Sequence, residues 1–286
     1  MSTGTTRTIG VVIADIENPF FSRAVRGIAD EARRAGFEVL LINSDEDLNN
    51  ERTGIRLMQE KRVDGMIIAP TVAANSTHLE DLMARGVPVV FLDRTVPGIE
   101  TDAVVVDNIA AARGAVEHLI ALGHQRIGIV ADSTSQRLDS RLIEDVTADG
   151  GRNATRLQGT TGARLAGYLG ALSLAGIPRD DSLIRLAKPT VERSTQQALA
   201  LLEADGRPTA VFACDGFMTM GVYAAAKVMK LGIPGDLSIV GFDDLEWTRL
   251  VDPPLTVVAQ PVYELGAAAA RQLIRRVGHH PAEPGR

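Results

Sequence analysis

Short runs of β-branched residues and leucine alternate along this chain with longer stretches whose apolar residues recur every three or four positions. The runs are Ile9–Ala14, Val39–Asn43, Gly65–Ala69, Val87–Leu92, Ala103–Val106, Arg126–Ala131, Ala210–Ala213, Ser238–Phe242 and Thr256–Ala259. Near-continuous Val, Ile and Leu is the pattern of a strand covered on both faces. The periodic stretches predict helices over Pro19–Ala35, Glu51–Lys61, Ser76–Arg85, Ile109–Leu122, Thr161–Ala175, Glu192–Ala204, Met218–Leu231 and Val262–Val277. In the first of them Phe20, Ala24, Ile28 and Ala32 fall four apart on one helical face. Glycines at 36, 86, 123 and 232 mark helix ends ahead of the next strand. Strand–helix alternation with short connections predicts an α/β fold of parallel sheets built from right-handed crossovers.

The chain has 286 residues, which at roughly 150 residues per domain predicts two doubly wound lobes in place of one very wide sheet. The second series of strands begins near Asp107, after the run ending at Val106. Residues 133–159 break the pattern. They are polar and charged, with room for one short helix over Arg137–Asp145, and an irregular stretch of that length is usually functional or mobile.

Composition narrows the function classes. With 45% hydrophobic, 23% charged and 4% aromatic residues, the chain is neither disordered nor fibrous. No apolar run has membrane-spanning length, and Met1–Arg7 lacks a secretory signal, so a soluble cytoplasmic protein is expected. The net charge of −6 argues against a nucleic-acid surface on these residues. Catalytic signatures are missing: there is no GxGxxG, P-loop, GxSxG or HExxH. His78, His118, His124, His279 and His280 have no ligand-like spacing, and the single cysteine, Cys214, reads as a small buried hydrophobe. Neither a catalytic residue, a metal nor a cofactor is expected.

Acidic residues recur where strands end: Asp15, Asp45, Asp93, Asp107, Asp132, Asp215 and Asp243-Asp244. Any one of them has a plain reading as a helix N-cap or turn residue. As a set at the carboxyl ends of parallel strands, where open α/β sheets bind ligands, they point to a small ligand rich in hydroxyls.

Several tags in order resemble the LacI/GalR family of repressors. They are Ile16-Glu17-Asn18-Pro19-Phe20-Phe21, Arg62-Val63-Asp64-Gly65, Leu92-Asp93-Arg94, Val106-Asp107-Asn108, Leu122-Gly123-His124-Gln125-Arg126-Ile127, Gly241-Phe242-Asp243-Asp244 and Pro253-Pro254-Leu255-Thr256 with Gln260-Pro261. The resemblance implies the periplasmic-binding-protein type I fold, with residues 7–106 and 261–278 in one lobe and 107–260 in the other. It also implies a homodimer, and a sugar or related polyhydroxylated effector held in the interlobe cleft. Operator DNA would be reached only through a helix-turn-helix domain upstream of this chain, and no membrane is involved.

Carried over by position, the ligand site comprises Asn18, Phe20, Phe21, Asp93, Arg94, Arg164, Asp215, Asp243 and Gln260, with Asp15 and Trp247 as further candidates. The two phenyl rings are expected to stack on a sugar face, and the planar donors of Arg164 to fork onto ligand oxygens. Asp215 stands where the family commonly has an amide. The segment 133–159 is extra and lies just before Arg164, and the family's final strand is not evident. A sugar-binding protein of a transport system is the alternative reading.

Overall fold

The computed structural model describes residues 5–71, 76–133 and 159–279. Within it the chain divides into two compact units, one made of the residues up to Val106 together with those from Pro261 onward, the other of Asp107–Gln260.

The first unit contains β1 (Thr8–Ile13), α1 (Pro19–Arg34), β2 (Glu38–Asn43), α2 (Leu48–Glu60), β3 (Gly65–Ile68), α3 (Thr77–Ala84), β4 (Val89–Leu92) and β5 (Asp102–Val104). The second contains α4 (Asn108–Ala121), β6 (Ile127–Asp132), α5 (Gly159–Leu174), a 3₁₀ turn (Asp181–Leu183), β7 (Ile184–Ala187), α6 (Val191–Glu203), β8 (Ala210–Ala213), α7 (Gly216–Val228), β9 (Ser238–Phe242), a second 3₁₀ turn (Glu246–Arg249) and β10 (Thr256–Val258). The chain then returns to the first unit as α8 (Val262–His279).

Both sheets are parallel and repeat one order, β2-β1-β3-β4-β5 and β7-β6-β8-β9-β10. This doubly wound arrangement is the α/β architecture the alternation predicts. Crossover helices cover both faces of each sheet. In the first unit Ile9, Val11 and Ile13 pack under α1 and α8, and Val12, Met66 and Ile68 pack under α2 and α3. β7 is not marked by a hydrophobic run, because it is a four-residue edge strand interrupted by Arg185. β2 departs from the expectation of two covered faces. It lies at a sheet edge, and Leu40 and Leu41 remain 39% and 36% exposed. The expected helix over Arg137–Asp145 lies outside the described residues.

Local signals explain the element boundaries. Asn18 caps α1 by accepting from the Phe20 N–H at 3.0 Å, with Pro19 opening the first turn. α2 begins three residues earlier than periodicity predicts because Asp47 accepts from the Asn49 and Asn50 N–H groups. The Leu-Gly-His-Gln-Arg tag proves architectural. The His124 ring nitrogens meet Thr209 Oγ1 at 2.8 Å and Ser238 Oγ at 3.0 Å, tying down the segments entering β8 and β9. Arg126 holds the Gly206 carbonyl at 2.8 Å.

Each unit is closed by a helix pair in near backbone contact. A Cβ on Gly266 of α8 would lie 1.9 Å from the Ala24 carbonyl oxygen of α1, and one on Gly27 would lie 2.1 Å from the Tyr263 oxygen. In the second unit a Cβ on Gly167 of α5 would lie 2.4 Å from the Ile109 oxygen of α4. No rotamer change relieves a clash with backbone, so the helices must move apart. Gly266→Ala should therefore cost about 3 kcal/mol or more in urea unfolding. Gly114→Ala, on an open face of α4, should be neutral or stabilise by up to about 1 kcal/mol.

Candidate functional site

The carboxyl ends of the strands gather the polar residues of each unit, and the two rims follow one plan. Asp93 leaves β4 with φ +70° and its N–H donates to the Val104 carbonyl of β5 at 3.0 Å. Asp243 leaves β9 with φ +77° and donates to the Val258 carbonyl of β10 at 2.9 Å. Left-handed backbone at a non-glycine residue carries a strain that Asp tolerates better than most. Each aspartate occupies the end of the fourth strand in its sheet order, and both side chains are buried, at 6% and 7% exposure.

In the first unit Arg94 is held on two sides. Its Nη1 and Nη2 donate to the two carboxylate oxygens of Glu46 at 2.7 and 2.6 Å, and its Nε to Asp93 at 3.2 Å. Glu46, which follows β2, is a residue that strand-end counting does not single out, since its fork onto Arg94 spans 48 positions. Asp15 accepts from the Glu17 N–H, and Asn18 serves as the α1 cap. Phe20 and Phe21 lie edge-to-face with centroids 5.1 Å apart, inside the unit's core cluster beside Ala24 and Ile28, with only 6% and 2% of their surface exposed. As the second and third residues of α1 they pack within the core cluster of the unit.

In the second unit a buried guanidinium organises the rim. Arg164 of α5 donates from Nε to Asn108 Oδ1 at 2.9 Å and from Nη1 to the Cys214 carbonyl at 2.6 Å, and its carbon lies 3.8 Å from the centroid of the Phe242 ring. Two hydrogen bonds and a cation–π contact hold the charge where it is only 6% exposed. Asn108 and Phe242 belong to the quoted tags, but nothing in their spacing shows that they share one arginine. Asp243 accepts from Gln260 Nε2 at 2.6 Å, which leaves Gln260 Oε1 buried without a partner. Trp247 packs at 5.8 Å from Tyr223 of α7, with its indole N–H buried and unpaired.

Asp215 follows β8 and caps α7 by accepting from the Met218 N–H at 2.8 Å. Burial pushes its carboxyl up to about 7. Asp132 and Asp243 add to the rise, while the Met218 N–H and Arg164 oppose it. Burial likewise raises the Cys214 thiol, which removes it as a nucleophile. Among the described residues no group of His, Cys, Asp and Glu has the arrangement of a metal site, and no helix is long and apolar enough to cross a membrane. A groove of about 830 Å³ lies at the opposite end of the second unit, lined by Gln125, Arg126, Ile177, Arg179 and Asp180, and none of these rim residues reaches it.

Between pH 4 and 7 the folded chain keeps a proton on Asp215 that the unfolded chain has lost, so this residue's contribution to stability falls as pH rises through that window. Because part of its surface stays open, the cost above pH 7 is on the order of 2 kcal/mol. Asp215→Asn keeps the cap and removes the charge. It should raise the melting temperature at pH 8 and leave it unchanged near pH 4, as read by pH-dependent thermal unfolding.

Residues 6–286 match the family described as periplasmic binding proteins and the sugar-binding domain of the LacI family. The chain is 34% identical over 275 residues to the transcriptional repressor CytR of Escherichia coli, covering 96% of this chain and 74% of that protein. It superposes with a TM-score of 0.78 on the structure of a putative ribose operon repressor from Burkholderia thailandensis, at 33% identity and covering 96% and 93% of the two chains. It also superposes, with a TM-score of 0.80 and 25% identity, on the transcriptional regulator CelR in complex with cellobiose, covering 98% of this chain and 80% of that one. These relatives are transcription regulators and not enzymes. With the duplicated sheets and the match along nearly its whole length, the chain belongs to the LacI family, with the periplasmic-binding-protein type I fold of its sugar-binding domain.

Proposed function

We propose that this chain is the effector-binding and dimerisation core of a LacI-type transcriptional repressor. Its effector is a small sugar-like compound bound at a carboxyl-end rim. The observation that carries this reading is the repeated aspartate at the end of the fourth strand, strained and buried in each unit and joined in the second by Gln260. Buried carboxylates with fixed orientation accept two hydroxyl donors each, and strain is retained where function needs a set geometry. The cellobiose complex of CelR supports a carbohydrate. Effector binding would then bias the distribution of conformations that the regulator presents to its operator.

A thermal-shift screen of pentoses, hexoses, polyols and nucleosides should identify a stabilising ligand. Asp243→Asn, which tolerates the same backbone, should weaken that ligand about 10- to 100-fold in calorimetry, because one strong charged acceptor becomes an amide. Unchanged affinity would sink the assignment of Asp243.

Dimerisation is assigned to the β2 edge. Among the described residues this strand pairs with β1 alone, and it leaves Leu40 and Leu41 exposed. An apolar strand edge with open backbone groups is a surface that proteins normally cover. The Leu40→Asp, Leu41→Asp double variant should sediment as a monomer with unchanged circular dichroism, while the parent chain sediments as a dimer.

A further inference from the structure

We propose that the turn between β2 and α2 presets the carboxyl-end rim of the first unit, with Glu46 and Glu51 as its positioning residues. Neither touches the effector; each fixes a loop that borders the rim. This rests on the effector-site reading above and goes a step further, to what holds the rim in shape before a ligand arrives.

The turn is strained. Asp45 and Glu46 follow β2 with φ +54° and +55°, the one place among the described residues where two non-glycine residues in a row are left-handed. Such backbone persists only where its surroundings over-determine it, and an outlier of this kind is a reason to look for function. Here the Glu46 N–H donates to the Ala14 carbonyl at 3.1 Å and the Asp47 N–H to the Ser44 carbonyl at 2.9 Å. The Asn50 side-chain amide donates to the same Ser44 carbonyl at 3.2 Å. Asn43 accepts from the Ile16 N–H at 2.9 Å and donates to Asp45, which joins the chain leaving β1 to the turn.

From this anchored turn two carboxylates reach other loops. Glu46 forks onto both terminal nitrogens of Arg94, whose Nε donates to Asp93. The fork therefore fixes Arg94 and, through it, the left-handed Asp93 that follows β4. Glu51 lies near the start of α2 and is fully buried. Its Oε2 accepts from the Thr71 N–H at 2.5 Å, and its Oε1 lies 2.6 Å from His78 Nε2. Both oxygens thus hold the chain that leaves β3 and enters α3. The Thr71 hydroxyl and His78 Nδ1 are themselves buried without partners, so Glu51 carries much of the polar contact of this segment. A buried carboxylate adds little net stability, because desolvation offsets its contacts; what it fixes is geometry. A rim held in this way has its binding geometry before the ligand enters, so association does not have to order two loops.

Native-state amide hydrogen exchange on the parent chain, Glu46→Gln and Glu51→Gln tests the presetting without a ligand. Each variant keeps the side-chain length and one oxygen acceptor and loses the charge. In Glu46→Gln the Asp93 and Arg94 amides should exchange about tenfold faster, while the Thr71 amide keeps the parent rate. In Glu51→Gln the pattern should reverse. The amides of Val11 and Ile67, in the central strands, serve as reference, since a purely structural role raises all rates together. Each compound of the pentose, hexose, polyol and nucleoside panel that binds the parent is then titrated into both variants by calorimetry, with an affinity loss of about tenfold expected. Exchange that accelerates uniformly, or not at all, overturns the positioning role. A compound that binds all three proteins equally also overturns it, because the preset rim is then not where the compound is held. If no compound binds the parent, the sugar-site reading fails by itself, and the exchange pattern still decides whether the turn presets the rim.

Discussion

The closure of each unit depends on two helices meeting backbone to backbone. In the first unit, α1 and α8 come together through Gly27 and Gly266, at separations that leave no room for a methyl group. In the second, α4 and α5 meet through Gly167. The partners correspond: α1 and α5 each follow the first strand of their sheet, while α8 and α4 each open the segment that has just entered the unit. Close approach lets both helices lie flat on one face of a narrow sheet and complete its core. It also ties the end of the chain to its beginning, since without α8 the face formed by Ile9, Val11 and Ile13 would stand half open.

Electrostatics is arranged around the same repeated plan. Parallel strands send their carboxyl ends to one edge, so any acidic residue following a strand contributes to one concentrated rim. The first unit forks Arg94 onto Glu46 and Asp93, whereas the second buries Arg164 against an aromatic ring and a carbonyl. The duplicated backbone therefore carries two different charge patterns. Selectivity can evolve in one rim without disturbing the left-handed aspartate that both retain.

Much of the fold was legible in the residues, and the limits are physical. Hydrophobic runs marked the central strands, because those strands are covered on both faces. They misjudged β2 and missed β7, because an edge strand needs only partial cover and its composition is set by whatever lies beside it. The aspartates after strands were visible as a set, but nothing local distinguishes Asp215, which caps a helix, from Asp243, which adopts a left-handed turn. Phe20 and Phe21 sit in the first turn of α1 within the core cluster, and which residues they meet there is set by how the helix lies on the sheet. His124, part of the most recognisable tag, ties strand entries together at the end of the sheet away from the carboxylate rim.

The doubly wound α/β class, the succession of elements and the family could all be read without coordinates, because periodicity and capping act over a few residues and the family's tags are local strings. Which polar groups meet could not. Arg164 lies 50 positions from Cys214 and 56 from Asn108, and the Glu46–Arg94 fork spans 48. Contacts of that range depend on strand order and helix packing. The charge state of Asp215 depends on how deeply its neighbours bury it, a property of the assembled rim and of no single stretch of chain.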